Sequence, residues 1–71
     1  MAWEKRFREY GVLKIDKNNV RVHSGPQQYD SIYINEGGIT NALWAGDSIV
    51  VYLANNKIRR YTASQTYQNV N

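Results

Sequence analysis

Apolar and polar positions in this chain fall into two runs that echo one another. Displacing the sequence by 38 positions lays Val12-Leu13-Lys14-Ile15 on Val50-Val51-Tyr52-Leu53. Asn18 then meets Asn56, Arg21 meets Arg59, Gln27 meets Gln65 and Tyr29 meets Tyr67. Residues 12–32 and 50–70 are therefore read as an internal pseudo-repeat. Fixed-period self-similarity is the first feature to settle, because it governs every later assignment.

Each copy opens with a hairpin pattern. "VLKI" and "IVVYL" are rich in β-branched and aromatic residues, which suit a pleated surface. Turn residues follow, "DKNN" and "ANNK", then a second strand, "VRVH" and "IRRY". Asn tolerates the positive φ that tight hairpins need. A turn centred on Asn55-Asn56 pairs Leu53 with Ile58 and Tyr52 with Arg59. The same register in the first copy pairs Ile15 with Val20 and Lys14 with Arg21. One face of each hairpin is then apolar and the other basic.

Each copy ends in a helix-start signal. "SGPQ" (Ser24 to Gln27) and "TASQ" (Thr62 to Gln65) match S/T-x-x-E/Q, in which hydroxyl and amide satisfy backbone donors reciprocally. Pro26 suits a first helical turn. Tyr29 with Ile32, and Tyr67 with Val70, stand three apart and would share one side of a helical turn. The expectation is a one- or two-turn helix closing each unit; a polar loop is the alternative.

Between the copies, Ile32 and Ile34 alternate with Tyr33 and suggest a strand. Gly37-Gly38 marks a turn. "ITNALWAG" reads as a further strand ending in a tight turn at Gly46-Asp47, with Trp44 in the core. At the N-terminus, Trp3, Phe7 and Tyr10 follow helical spacing, Gly11 can end the helix, and Glu4–Arg8 and Lys5–Glu9 are favourable pairs. A strand there fits the pattern less well.

The predicted fold is mainly β. It is a small single-domain barrel or sandwich of SH3-like size over residues 1–71. About five to six short strands form two similar hairpin-plus-helical-turn units, with a short N-terminal helix. A chain of 71 residues buries only about 60% of its unfolded surface, so its core is marginal. Such scaffolds lean on disulfides, a metal or a partner subunit. The absence of cysteine and the single histidine remove disulfides and a Cys/His zinc site. Oligomerisation or efficient packing is left. "MAWEKRFREYG" lacks the apolar run of a signal peptide. No stretch approaches the roughly 18 apolar residues of a membrane span, so a soluble, cytoplasmic protein is expected.

Candidate chemistry is sparse. No partner residue is singled out for His23 as a general base, and its equivalence to Tyr61 suggests packing. Asp16, Asp30, Glu36 and Asp47 are placed in turns or helix starts, where carboxylates bond the backbone. "EGGITN" lacks the glycine spacing and the lysine of a phosphate loop. No catalytic residue, metal ligand or cofactor is predicted, and the chain is read as non-enzymatic.

Two features remain. Lys14, Arg21, Tyr52, Arg59 and Tyr61 share a basic-aromatic hairpin face in the register above, with Lys57, Arg60, Lys5, Arg6 and Arg8 nearby in sequence. A net charge of +3 permits an anionic partner, and small β-barrels bind single-stranded nucleic acid with such mixtures. Second, "SIVVYL" is apolar on both faces, with Ile49, Val51 and Leu53 on one and Val50 and Tyr52 on the other. A half-exposed strand should alternate. The first reading is therefore a protein-interaction module, self-associating around Val50 and Tyr52 as a homo-oligomer or docking another protein. Nucleic-acid binding on the basic-aromatic face is the alternative.

Overall fold

The computed structural model describes residues 3–35 and 38–70. A short helix, α1 (Lys5–Tyr10), is followed by seven strands. These are β1 (Leu13–Asp16), β2 (Asn19–His23), β3 (Tyr29–Tyr33), β4 (Ile39–Ala45), β5 (Ser48–Leu53), β6 (Ile58–Ala63) and β7 (Thr66–Asn69). They form two antiparallel sheets, β1-β2-β3 and β4-β5-β6-β7, each an up-and-down meander. Among the described residues no ladder joins the two sheets. The mainly β class of the expected barrel or sandwich holds, as two antiparallel sheets; closure into a barrel is not seen among the described residues.

The N-terminal helix forms as its spacing predicts. Gly11 caps it at φ 69°, and its N–H donates to the Phe7 carbonyl at 2.9 Å. Only glycine adopts this left-handed geometry without a Cβ penalty. Trp3 and Phe7 are buried while Tyr10 is exposed. The ion pair here is Glu4 with Arg6, at 3.4 Å.

The two predicted closing helices are strands. Residues 24–27 are a bend, across which the Ser24 N–H donates to the Gln28 carbonyl at 2.9 Å. The chain then enters β3, where Asp30 also lies, in a strand rather than a turn. Thr62 continues β6, Ser64-Gln65 is a tight turn, and Tyr67 falls in β7. The capping signals are local and worth about 1 kcal/mol. Pairing with a preformed strand outweighs them and fully buries Ile32.

The hairpins differ by one loop residue, and this decides which side chains face inward. In the first, Asp16 pairs Asn19, so the loop is Lys17-Asn18 and the predicted register holds: Ile15 with Val20, Lys14 with Arg21. In the second, Tyr52 pairs Ile58 and Val51 pairs Arg59. The Leu53 N–H donates to the Lys57 carbonyl at 2.9 Å, which leaves a three-residue loop, Ala54-Asn55-Asn56. Asn56 ends it at φ 68°, as three-residue hairpin loops require at their last position. The expected pairs Leu53–Ile58 and Tyr52–Arg59 therefore do not form. A one-residue slip sends every side chain of the second strand to the other face.

Both sheets share one core. Val20, Val22, Ile32 and Ile34 come from the first sheet side, and Ile49, Val51, Leu53 and Tyr61 from the second. Trp3 and Phe7 complete it. The Trp3 indole N–H donates to the Tyr61 carbonyl at 3.1 Å, and its ring meets Phe7 and Trp44 edge-on at 5.4 and 6.3 Å. Trp44 is half-buried against this cluster, and Gly46 turns β4 into β5 at φ 66°. Of the predicted Gly37-Gly38 turn, Gly38 has φ 86°; Gly37 and Glu36 lie outside the described residues.

Candidate functional site

The five residues of the predicted basic-aromatic face are divided between surfaces. Lys14 and Arg21 are opposite each other on β1 and β2, on the face away from Val20 and Val22. Tyr52 is half-buried on the outer face of the four-stranded sheet. Arg59 and Tyr61 are on its inner face, opposite Val51 and Ile49, and both are buried. The single shared face is thus corrected: the extra loop residue before β6 turns Arg59 and Tyr61 inward and away from Tyr52.

Arg59 and Tyr61 stand together in a cleft of about 450 Å³. One wall is the end of β3, with Ser31, Tyr33 and Asn35. The other is the β6–β7 hairpin, with Arg59, Tyr61, Ser64, Gln65 and Tyr67. Arg59 is only 7% exposed. Its Nη1 donates to the Tyr61 hydroxyl at 3.3 Å, and its guanidinium stacks 4.3 Å from the centre of the Tyr67 ring. Tyr61 and Tyr67 lie 5.1 Å apart. Tyr67 pairs directly with Tyr61 across the ladder, so Arg59, Tyr61 and Tyr67 brace one another.

The cleft opens onto the face of the first sheet that carries Arg21. Ser31 is the ladder partner of Arg21, and residues two apart on a strand share a face. Tyr29, Ser31 and Tyr33 therefore form one row. Arg21 stacks 5.1 Å from the Tyr29 ring and donates to Asp16 at 2.9 Å. His23 is buried beside Tyr29, ring to ring at 5.3 Å, a packing role. Its Nε2, like the Trp44 indole N–H, is buried without a hydrogen bond among the described residues. Neither lines the cleft.

Tyr29 and Tyr67 were assigned to helical turns, and Tyr33, although read in a strand, was not joined to the basic-aromatic face. The signal that locates them is period two: Tyr29, Ser31 and Tyr33 alternate with Asp30, Ile32 and Ile34.

The outer face of the β4–β7 sheet is the second candidate surface. Ladder partners place Leu43, Val50 and Arg60 in one row and Asn41, Tyr52 and Ile58 in the next. The Val70 N–H donates to the Ile58 carbonyl at 2.9 Å, which extends the second row. Leu43 is 41% and Val70 56% exposed; Val50, Tyr52 and Ile58 are half-buried. The doubly apolar character of "SIVVYL" is real: Ile49, Val51 and Leu53 enter the core, and Val50 and Tyr52 do not.

Among the described residues no three His, Cys, Asp or Glu side chains cluster as metal ligands. No helix among them is long and apolar enough to cross a membrane. The chain matches no protein-family model, no curated protein and no solved structure at a significant level.

Proposed function

We propose that the chain is a small non-enzymatic interaction module that self-associates through the outer face of the β4–β7 sheet. One observation carries this reading. Leu43, Val50, Tyr52, Ile58 and Val70 form a contiguous apolar patch on the face turned away from the core, with Leu43 and Val70 exposed and the other three half-buried. Contiguous exposed apolar surface of this kind marks interaction sites. Arg60 is the lone charged side chain in these rows, so there is no charge pattern to select a foreign partner. A second copy offers a matching flat apolar face.

Size sets the strength. Four strands about 4.8 Å apart and six residues long at about 3.3 Å each cover roughly 400 Å². Two copies stacked face to face then bury about 800 Å², below the roughly 1,200 Å² of stable complexes. The dimer is therefore weak, with a dissociation constant in the micromolar to millimolar range.

Sedimentation equilibrium from about 10 μM to about 1 mM tests this. The expected outcome is a monomer–dimer equilibrium that Val50→Lys abolishes, while the variant keeps its circular dichroism spectrum. A chain that stays monomeric at 1 mM, or a Val50→Lys variant that dimerises equally, overturns the reading.

A further inference from the structure

We propose that the cleft between β3 and the β6–β7 hairpin, together with the tyrosine row leading into it, binds single-stranded nucleic acid. This surface lies opposite the dimer face, so it stands independently of self-association.

Three exposed rings form the track. Tyr29 is 47%, Tyr33 64% and Tyr67 43% exposed. Aromatic side chains this exposed each leave roughly 100 Å² of surface, hydroxyl included, in water unless something stacks on them. Tyr29 and Tyr33 stand four residues apart on one strand face, about 13 Å, and Tyr67 faces Tyr33 across the cleft. Two of the rings are backed by guanidinium groups, Arg21 on Tyr29 and Arg59 on Tyr67. The His23 ring also packs on Tyr29 and the Tyr61 ring on Tyr67; these contacts fix the two rings, and the exposed remainder of each is what a ligand can meet.

The chemistry around the rings suits unpaired bases. Bases stack on tyrosine whatever their identity, and their exposed edges accept and donate hydrogen bonds to amides and hydroxyls. Asn35 and Gln65 supply amides and Ser31 and Ser64 hydroxyls along the cleft. Among the described residues no carboxylate lines it. Lys14 and Arg21 lie beside the row as phosphate partners. Arg21 gives one nitrogen to Asp16, and a guanidinium has further donors. Arg59, engaged with Tyr61 and Tyr67, is a positioning residue here. Duplexes bury their base faces, so the track selects single strands.

The test is fluorescence anisotropy with labelled ten-nucleotide oligo(dT) and oligo(U), and a duplex of equal length, at 50 and 200 mM salt. Two phosphate contacts on a single strand give a slope of about −1.4, so affinity should fall about sevenfold over that range. Tyr33→Ala should weaken binding between about fivefold and a hundredfold, the loss of one stacked base. Tyr33→Phe keeps the ring and should restore it. Tyr33 is the most exposed of the three rings, so both variants fold, and unchanged thermal melting verifies it. No binding at 50 mM salt overturns the proposal. So does a duplex bound as tightly as the single strands, or a Tyr33→Ala variant that binds as the parent does, since either reduces the interaction to charge alone.

Discussion

Trp3 shows how a single side chain closes this fold. Its ring is buried between Phe7 and Trp44, and its N–H satisfies the Tyr61 carbonyl. That carbonyl sits where the β6–β7 ladder shifts register between Tyr61 and Ala63. Trp3→Phe keeps an aromatic ring but removes the donor and part of the volume. A buried carbonyl left without its partner costs about 1–3 kcal/mol. In a domain of this size each 1 kcal/mol moves the melting temperature by about 4–8 °C. Thermal unfolding by circular dichroism should therefore show a drop of about 10 °C. An unchanged melting point would mean that the indole bond contributes nothing net. Arg59 illustrates the opposite case of legibility. Its charge and its neighbour Tyr61 were readable as a basic-aromatic pair, and the two do meet. Their facing was not readable, because it depends on loop length rather than on either residue.

The hairpin loops explain most of what the sequence showed and hid at the level of elements. Strand positions were visible in their β-branched runs, and the helix in Trp3, Phe7 and Gly11. The first register was visible because "DKNN" closes with two residues. The second was not, since "ANNK" admits both a two- and a three-residue loop, and only the left-handed Asn56 tells them apart. Tyr29–Tyr33 and Thr66–Asn69 were hidden for another reason: S/T-x-x-E/Q fits a helix start as well as a bend or turn, and only the ladders with β2 and β6 select the strand. A prediction belongs to the first loop. Lys17 holds φ 55°, a conformation that costs a side-chain-bearing residue about 1–2 kcal/mol. Glycine removes that cost but loses about 0.5–1 kcal/mol of chain entropy on folding. The balance favours Lys17→Gly by about 0.5–1 kcal/mol, read as a higher urea midpoint at unchanged slope. A lower midpoint would show that the Lys17 side chain makes a stabilising contact outweighing its backbone strain.

At the scale of the molecule, apolar residues are divided between a core and a patch. Among the described residues the core takes ten, from both sheet sides and the N-terminal segment. The patch keeps Leu43, Val50, Tyr52, Ile58 and Val70 on the far side of the larger sheet. A chain of 71 residues has little stability to spare, and burying that patch in a dimer would add to it by mass action. Stability gained from association is RT ln(1 + [L]/Kd), about 1.4 kcal/mol at roughly ten times the dissociation constant. The melting temperature should then climb by about 6–11 °C as protein concentration rises from well below that constant to tenfold above it. Val50→Lys should melt at one temperature throughout, because its lysine cannot be buried against a second copy. Scanning calorimetry across that range separates the two forms. A parent protein whose melting point is flat with concentration has no folded dimer to lose, and the apolar face would then have to meet something other than itself.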